Sequence, residues 1–305
     1  MPIQYDRAKA AEAIQASQRA GKPVVSFADA LTAYQADHLD HLKAGAARRR
    51  QLDRLLSDWL DQPVHKLLQY DAVALFDGKT GATRNRERAA LLHLVKWCRQ
   101  HGYTDLIPEI PKGKEKARDH VIKLEDAQRL WAVSDQLGDW RGLARLLLLT
   151  GTRRGDVWHM KPGHVTGDVW TIPETKNGNK HQVWLHPLAL SELQLGQRIG
   201  EDGKPYYVWN NKGDFSGLKN RWTDLSGVDG WTLHDFRRTI ATHLVGNGAS
   251  EVVIDKLLEH SGSAPSGTTR IYQRAELWDE RVAALQLWTG MLTGQTDPTS
   301  PLDDF

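Results

Sequence analysis

Cysteine is nearly absent from this sequence: 305 residues hold one, Cys98. A single thiol excludes an intramolecular disulfide framework. Cys98 itself lies in a helical apolar pattern and reads as a packing residue. Long apolar runs are missing as well. No stretch approaches the ~20 apolar residues of a membrane-spanning helix. The N-terminal residues lack the charged, apolar and cleavage regions of a signal peptide. Together these absences point to a soluble intracellular protein with no membrane partner. Excess charge is also missing: the formal net charge is +2, which announces no polyanionic partner by itself. The histidines stand at neither HExxH nor close CxxC spacing, and no Asp/Glu cluster accompanies them, so no metal is implied. No P-loop is present, so no nucleotide cofactor is implied either.

What the chain does have is charge in patches. Arg48-Arg49-Arg50, the Arg84, Arg86 and Arg88 group, and Lys112, Lys114, Lys116 and Arg118 are local basic clusters, while residues 297–305 are acidic. Local patches rather than total charge set affinity for phosphates. The length sets an expectation of two domains. Residues 1–25 read as a frayed helix or a flexible start. Ser26 is placed to cap a helix running through Phe27, Leu31 and Tyr34, which Gly45 interrupts. Arg48 to Leu60 carries a stripe of Leu52, Leu55, Leu56, Trp59 and Leu60, and Pro63 breaks it. A short helix is expected over 71–76 and a strong one over 83–101. Four helices in residues 26–105 make a small all-α domain. The prolines, glycine and charges from Pro108 to Lys114 read as a linker within 106–120. A larger domain, 121–290, follows. Gly290 and Gly294 then set off 291–305 as a mobile tail, with a helix ending near Trp288.

The chemistry-bearing residues lie in the larger domain. His234-Asp235-Phe236-Arg237 puts a histidine and an arginine three apart, on one face of a helix. Gly246-Asn247-Gly248 stops that helix. Ser250 caps the next, with Glu251 in its first turn, and it ends at His260-Ser261-Gly262. A Gly/Ser/Pro loop then leads to Tyr272. Upstream, an apolar run ends in Thr150-Gly151-Thr152-Arg153-Arg154-Gly155-Asp156. Between them, Val169 to Ile172 and Gln182 to Leu185 flank Lys176-Asn177-Gly178-Asn179-Lys180, β-branched and aromatic residues around Asn-Gly, which reads as a hairpin. A short further strand is expected near Tyr206 to Trp209.

This ordered set resembles the tyrosine recombinase, or phage integrase, family. The family carries Arg, Lys, His-x-x-Arg, His or Trp, and Tyr in that order. The resemblance places these at Arg153, Lys176, His234, Arg237, His260 and Tyr272, and gives Asp156 the role of positioning Arg153. Lys180 remains an alternative to Lys176, which the Thr-Lys-Asn-Gly register favours. The implied fold is mainly α with a small β-hairpin or sheet. It is a two-domain DNA clamp, with a SAM-like core-binding domain at 26–105 and an α+β catalytic domain at 121–290. The implied activity is cutting and rejoining DNA through a 3′-phosphotyrosyl intermediate, in phage or genomic-island integration and excision. No cofactor or metal is needed. The implied partners are double-stranded core sites and further copies of the chain, a dimer per site and a tetramer in synapsis, with or without an accessory DNA-bending protein. The place of action is the cytoplasm, at the nucleoid or in a phage-infected cell. The residues before Phe27 are too few for an added arm-binding domain. The C-terminal helix and tail are expected to dock on a neighbouring protomer. Alternatives within reach are type IB topoisomerase-like relaxation and a catalytically silent DNA-binding regulator. Two features depart from the commonest pattern: the longer loop between His260 and Tyr272, and the doubled arginines Arg154 and Arg238.

Overall fold

The computed structural model describes residues 24–116, 118–211, 213–259 and 277–295. The chain forms two compact units, dividing between Arg118 and Asp119. Each has its own apolar core.

The first unit is helical: α1 (Phe27–Tyr34), α2 (Gly45–Leu55), α3 (Gln69–Ala74) and α4 (Gly81–Gln100). Ser26 caps α1, its Oγ accepting from the Asp29 amide at 3.1 Å. The helix then widens into a π-turn over Gln35–Leu39. Gly45 opens α2 rather than ending α1, because a Cβ there would lie 1.8 Å from the Leu39 carbonyl oxygen. Phe27, Leu31, Leu52, Leu56, Leu91, Leu94 and Cys98 fill the core.

The stretch expected to lie free as a linker is instead fastened to this unit along its first half. Ile110 is 3% exposed and belongs to the core. The Gln69 side-chain amide pairs with both backbone groups of Glu109, at 2.6 and 2.9 Å. Asn85 does the same for Gly113, at 2.8 Å each. Arg84 and Arg88 donate to the Pro111 and Ile110 carbonyls. A side-chain amide offers one donor and one acceptor side by side, so it can serve an irregular segment as a neighbouring strand would. Two arginines of the Arg84–Arg88 cluster therefore hold backbone. Trypsin is expected to cut the native protein first after Lys116 or Arg118, beyond these bonds, and later after Lys112. First cleavage after Lys112, read by mass spectrometry of a time course, would show that the fastening does not hold.

The second unit contains α5 (Leu124–Val133), α6 (Arg141–Thr150), α7 (Arg154–Trp158), α8 (Pro187–Gly196), α9 (Phe215–Ser226), α10 (Asp235–Gly246), α11 (Glu251–Leu258) and α12 (Trp278–Thr293). An antiparallel sheet of β1 (Val165–Thr166), β2 (Val169–Ile172) and β3 (His181–Trp184) projects the turn 173–180, with Ile172 opposite His181. The strand expected near Tyr206 exists as β5 (Pro205–Tyr207), but it pairs with β4 (Gln197–Ile199) in a separate ribbon. The chain is thus mainly α, with both of these small sheets in the second unit. Among the described residues no helix is long and apolar enough to cross a membrane.

Tryptophan organises this core. Trp209, Trp222, Trp231 and Trp288 are at most 2% exposed. Each indole N–H donates to a backbone carbonyl: Val157, Leu130, Val228 and Leu148 respectively, at 2.6 to 3.2 Å. A buried indole N–H usually keeps a partner; Trp170, 1% exposed, is the exception, its Nε1 buried without one among the described residues. Trp209 lies so close to α6 and α8 that a Cβ at Gly142 or Gly196 would sit 2.2 or 2.5 Å from its ring.

The C-terminal end differs from expectation. α12 continues past Trp288 to Thr293, Leu292 is 1% exposed, and the Met291 carbonyl accepts from Gln128 at 2.8 Å. Residues 291–293 are therefore part of their own core, because Leu292 completes the apolar face begun by Leu285 and Trp288. The rest of the expected tail, 296–305, lies outside the described residues.

Candidate active site

The site begins where α6 ends. Gly151 takes up a left-handed conformation (φ 62°) and closes the helix, its amide donating to the Leu147 carbonyl at 3.1 Å. Residues with a Cβ disfavour that conformation by about 1–2 kcal/mol. The turn brings Arg153 to the N-cap of α7 and aims the Gly151 carbonyl at α10. Arg237, in the first turn of α10 and 5% exposed, donates to that carbonyl at 3.1 Å. The one turn therefore sets both arginines. Burial lowers the Arg237 guanidinium to about 10, with Arg153 adding to the effect and Asp156 and Glu259 opposing it. It remains charged at neutral pH.

α10 is started by Asp235, whose buried carboxylate accepts from the Thr232 amide at 2.8 Å. His234 stands just before the helix and is exposed. Partial burial, then the charges of Arg237 and Arg238, hold its imidazole below the usual histidine range, so it is neutral and able to accept a proton at pH 7. His234 and Arg237 thus reach the site from one helix start, the histidine outermost.

The hairpin brings Lys176. Its turn is closed by the Thr175 amide on the Asn179 carbonyl at 2.9 Å and the Gly178 amide on the Thr175 carbonyl at 3.0 Å. Thr175 is buried and Lys176 exposed. β3 is anchored behind it. His181 Nε2 donates to the Leu257 carbonyl at 3.1 Å, and Arg281 donates to the Gln182 carbonyl.

These pieces surround an open cleft of about 760 Å³. Arg153, Arg154, Asp156, Lys176, Lys219 and His234 are among its lining residues, with Phe215, Ser216 and Asn220 on the wall formed by α9. Lys180 is not among them. Arg154, the neighbour of Arg153, stacks over the Phe215 ring, its guanidinium carbon 4.3 Å from the ring centroid. That holds a second cation at the rim. The cleft is cationic along one wall, concave, and accessible to a phosphodiester.

Sequence reasoning missed one residue here. The carboxylate that pairs with Arg153 is not that of Asp156 but that of Glu259, the last described residue after α11. Arg153 Nη2 also donates to the Glu259 carbonyl at 3.1 Å, and the Thr175 hydroxyl donates to its Oε1. Glu259 adopts φ 50°, ψ 48°, which a non-glycine residue sustains only when its surroundings hold it. Burial raises the Glu259 carboxyl, yet the bonds from Thr175 and Arg153 outweigh it and leave the pKa lowered. Asp156 acts at longer range: burial, with Glu259 adding to it, leaves its carboxyl raised although the charges of Arg153 and Arg237 pull the other way. The expected end of this helix at residues 260–262, the histidine His260 and the tyrosine Tyr272 lie outside the described residues.

Three of the six expected residues, Arg153, Lys176 and His234, thus line one cleft from three separate parts of the chain, and Arg237 is held behind it by the Gly151 carbonyl. Comparison with known proteins gives the family. Tyrosine recombinase XerC of Corynebacterium glutamicum is 24% identical over 229 residues, 68% of this chain and 72% of that protein. Tyrosine recombinase XerD of Neisseria meningitidis serogroup B is 24% identical over 231 residues, 68% of this chain and 77% of that protein. In fold the chain is similar to a lambda integrase dimer bound to a COC′ core site, at 16% identity and TM-score 0.63, covering 78% of this chain and 96% of that one. It is also similar to a lambda integrase tetramer bound to a Holliday junction, at 17% identity and TM-score 0.63, covering 85% and 80%. Residues 120–277 match the phage integrase family, and this chain belongs to that family, the tyrosine recombinases, enzymes that break and rejoin DNA.

Proposed function

We propose that this recombinase integrates and excises a phage genome or genomic island at specific core sites, using Arg153, Lys176, His234, Arg237, His260 and Tyr272. The observation that carries the residue assignment is the cleft into which Arg153, Lys176 and His234 open, with Arg237 held behind it. Joining DNA without an external energy source requires a covalent intermediate that keeps the bond energy. The Tyr272 phenolate attacks the scissile phosphorus, and a phosphotyrosine forms as the bond to the 5′ oxygen breaks. Lys176 gives that oxygen its proton and takes it back on rejoining. Arg153 and Arg237 neutralise the equatorial oxygens as charge builds on them. Neutral His234 is suited to accept the phenol's proton, and His260 to donate to a non-bridging oxygen. Lys176 rather than Lys180 is assigned as the acid, because it is the one that lines the cleft.

In this reading the helical unit from residue 26 and the catalytic unit from residue 121 both bind the duplex, joined by the basic segment that ends near residue 120. The lambda integrase structures similar in fold, a dimer on a core site and a tetramer on a Holliday junction, support assembly of copies on DNA, and the cytoplasmic nucleoid is where that DNA lies. The test is to select bound sites from random and genomic DNA, then offer the chosen site as a nicked suicide substrate. The expected product is an SDS-resistant complex with protein on the 3′ phosphate, formed equally in EDTA, and exchange between two sites on a plasmid. Relaxation of any supercoiled plasmid without site preference would replace recombination by a topoisomerase role. Site binding with no covalent product would leave a regulator.

A further inference from the structure

The turn that carries Lys176 is bonded to Glu259 on both sides of the lysine. Thr175 and Asn177 flank the lysine on either side, and both bond to Glu259: the Thr175 hydroxyl to Oε1, the Asn177 amide to the backbone oxygen at 3.4 Å. The other half of Glu259 holds Arg153, which pairs with Oε2 and donates to the same backbone oxygen at 3.1 Å. The side chain is 14% exposed and that of Arg153 20%, so water competes little for these contacts. Glu259 also sits at a left-handed position, φ 50°, where glycine is the unstrained choice. A residue held there against its backbone preference is one whose side chain the surroundings require. A carboxylate suits this place because its two oxygens face different partners, a guanidinium and a hydroxyl, that lie on separate elements.

We propose that Glu259 is a positioning residue for protonation of the leaving group. It locks the Lys176 turn to Arg153, so that the acid and the phosphate clamp keep one geometry. This rests on the assignment of Lys176 as general acid given above. A lysine on an exposed turn has a flexible four-carbon stem, and its proton reaches the 5′ oxygen only if the turn itself is placed. In the step concerned, the Lys176 Nζ–H bond breaks and the proton goes to the 5′ oxygen as that oxygen leaves phosphorus. Glu259 touches neither atom and acts through the turn.

The experiment compares single-turnover cleavage of two suicide substrates. One has an ordinary scissile phosphodiester. The other has sulfur at the bridging 5′ position, a leaving group that needs no proton. Glu259→Gly removes the carboxylate and relieves the backbone, so folding is preserved, which a thermal melt checks. It is expected to slow cleavage of the ordinary substrate about tenfold or more, and by no more than the ~10²–10⁴-fold that acid–base catalysis supplies. On the sulfur substrate its rate returns to that of wild type, as for Lys176→Ala, and core-site affinity is unchanged throughout. Glu259→Gln keeps one acceptor oxygen, for Arg153, and turns toward Thr175 an amide that can donate to its hydroxyl, so it falls between the two. If Lys176→Ala is rescued by sulfur but Glu259→Gly stays slow, Glu259 serves Arg153 alone and the proposal is wrong. If Glu259→Gly cleaves the ordinary substrate as fast as wild type or faster, the carboxylate is dispensable or obstructs the clamp, and the proposal is again wrong. If Lys176→Ala is not rescued, the acid assignment itself fails and takes this inference with it.

Discussion

Tyr272→Phe protein is expected to bind its core site as tightly as wild type and to form no covalent DNA adduct at all. The substitution removes one oxygen, the atom that would attack phosphorus, and keeps the aromatic ring. Loss of the nucleophile is absolute in this assay, whereas loss of a donor to the phosphate only slows the same product. An SDS-resistant band persisting in Tyr272→Phe protein would overturn the assignment. The two other tyrosines in the second unit's ribbon are poor substitutes. Tyr207 is 2% exposed, stacked on Trp209 with ring centroids 4.7 Å apart, and burial pushes its phenol up to about 12. A phenolate is unattainable there without dismantling the core. Tyr206 pairs through its backbone with Arg198 on β4 and is not among the residues lining the cleft. Binding of the variant should be measured in parallel by gel shift at fixed salt, because phosphate affinity varies steeply with ionic strength.

The parts of this molecule that were legible in the sequence are those written by neighbours in the chain. Ser26 and Ser250 cap helices because each is followed at once by an apolar period, and both side chains accept from amides three residues on. The turn at Gly151 was legible because a left-handed helix end selects glycine. The hairpin was legible from β-branched and aromatic residues on either side of Asn-Gly. Other features depend on residues far apart, and no local period announces them. Glu259 meets Arg153 across 106 residues of chain, so Asp156, only three positions from Arg153, drew the assignment instead. Nothing local to Gln69 or Asn85 marks a role, yet they hold Glu109 and Gly113. The β4 strand, Gln-Arg-Ile, is exposed at all three positions, so no alternation marks it. The end of α12 was read too short because Gly290 and Gly294 look like stops. Gly290 is tolerated inside the helix, since Leu292 beyond it reaches the core.

Arg237→Ala is expected to lower the rate of adduct formation by about 10²–10³-fold, the usual effect of removing one charged donor from a transition-state anion. Alanine also abandons the bond to the Gly151 carbonyl and leaves space in a buried site, so a fall in stability accompanies it. Arg237→Lys separates charge from fold and carries the stronger test. The surroundings that bring the arginine from 12.5 to about 10, burial first and Arg153 second, act on any cation placed there. A lysine starts at only about 10.4 in water, so the same surroundings carry it toward the neutral range. The sign follows directly. The lysine is charged below its lowered pKa and loses its charge as the pH rises through it. Adduct formation by Arg237→Lys, divided at each pH by the wild-type rate, should therefore fall as the pH is raised from 6 to 9. The wild-type arginine keeps its charge across that range, so the ratio isolates the substituted cation from other titrations in the site. The lysine's three donors lack the planar fork that can grip two phosphate oxygens at once, so the ratio stays below one even at pH 6. A ratio that does not change with pH would mean that the site does not depress a cation at position 237. A ratio near one at every pH would mean that Arg237 does not bear on the transferred phosphate, and that its hydrogen bond to Gly151 is the whole of its role.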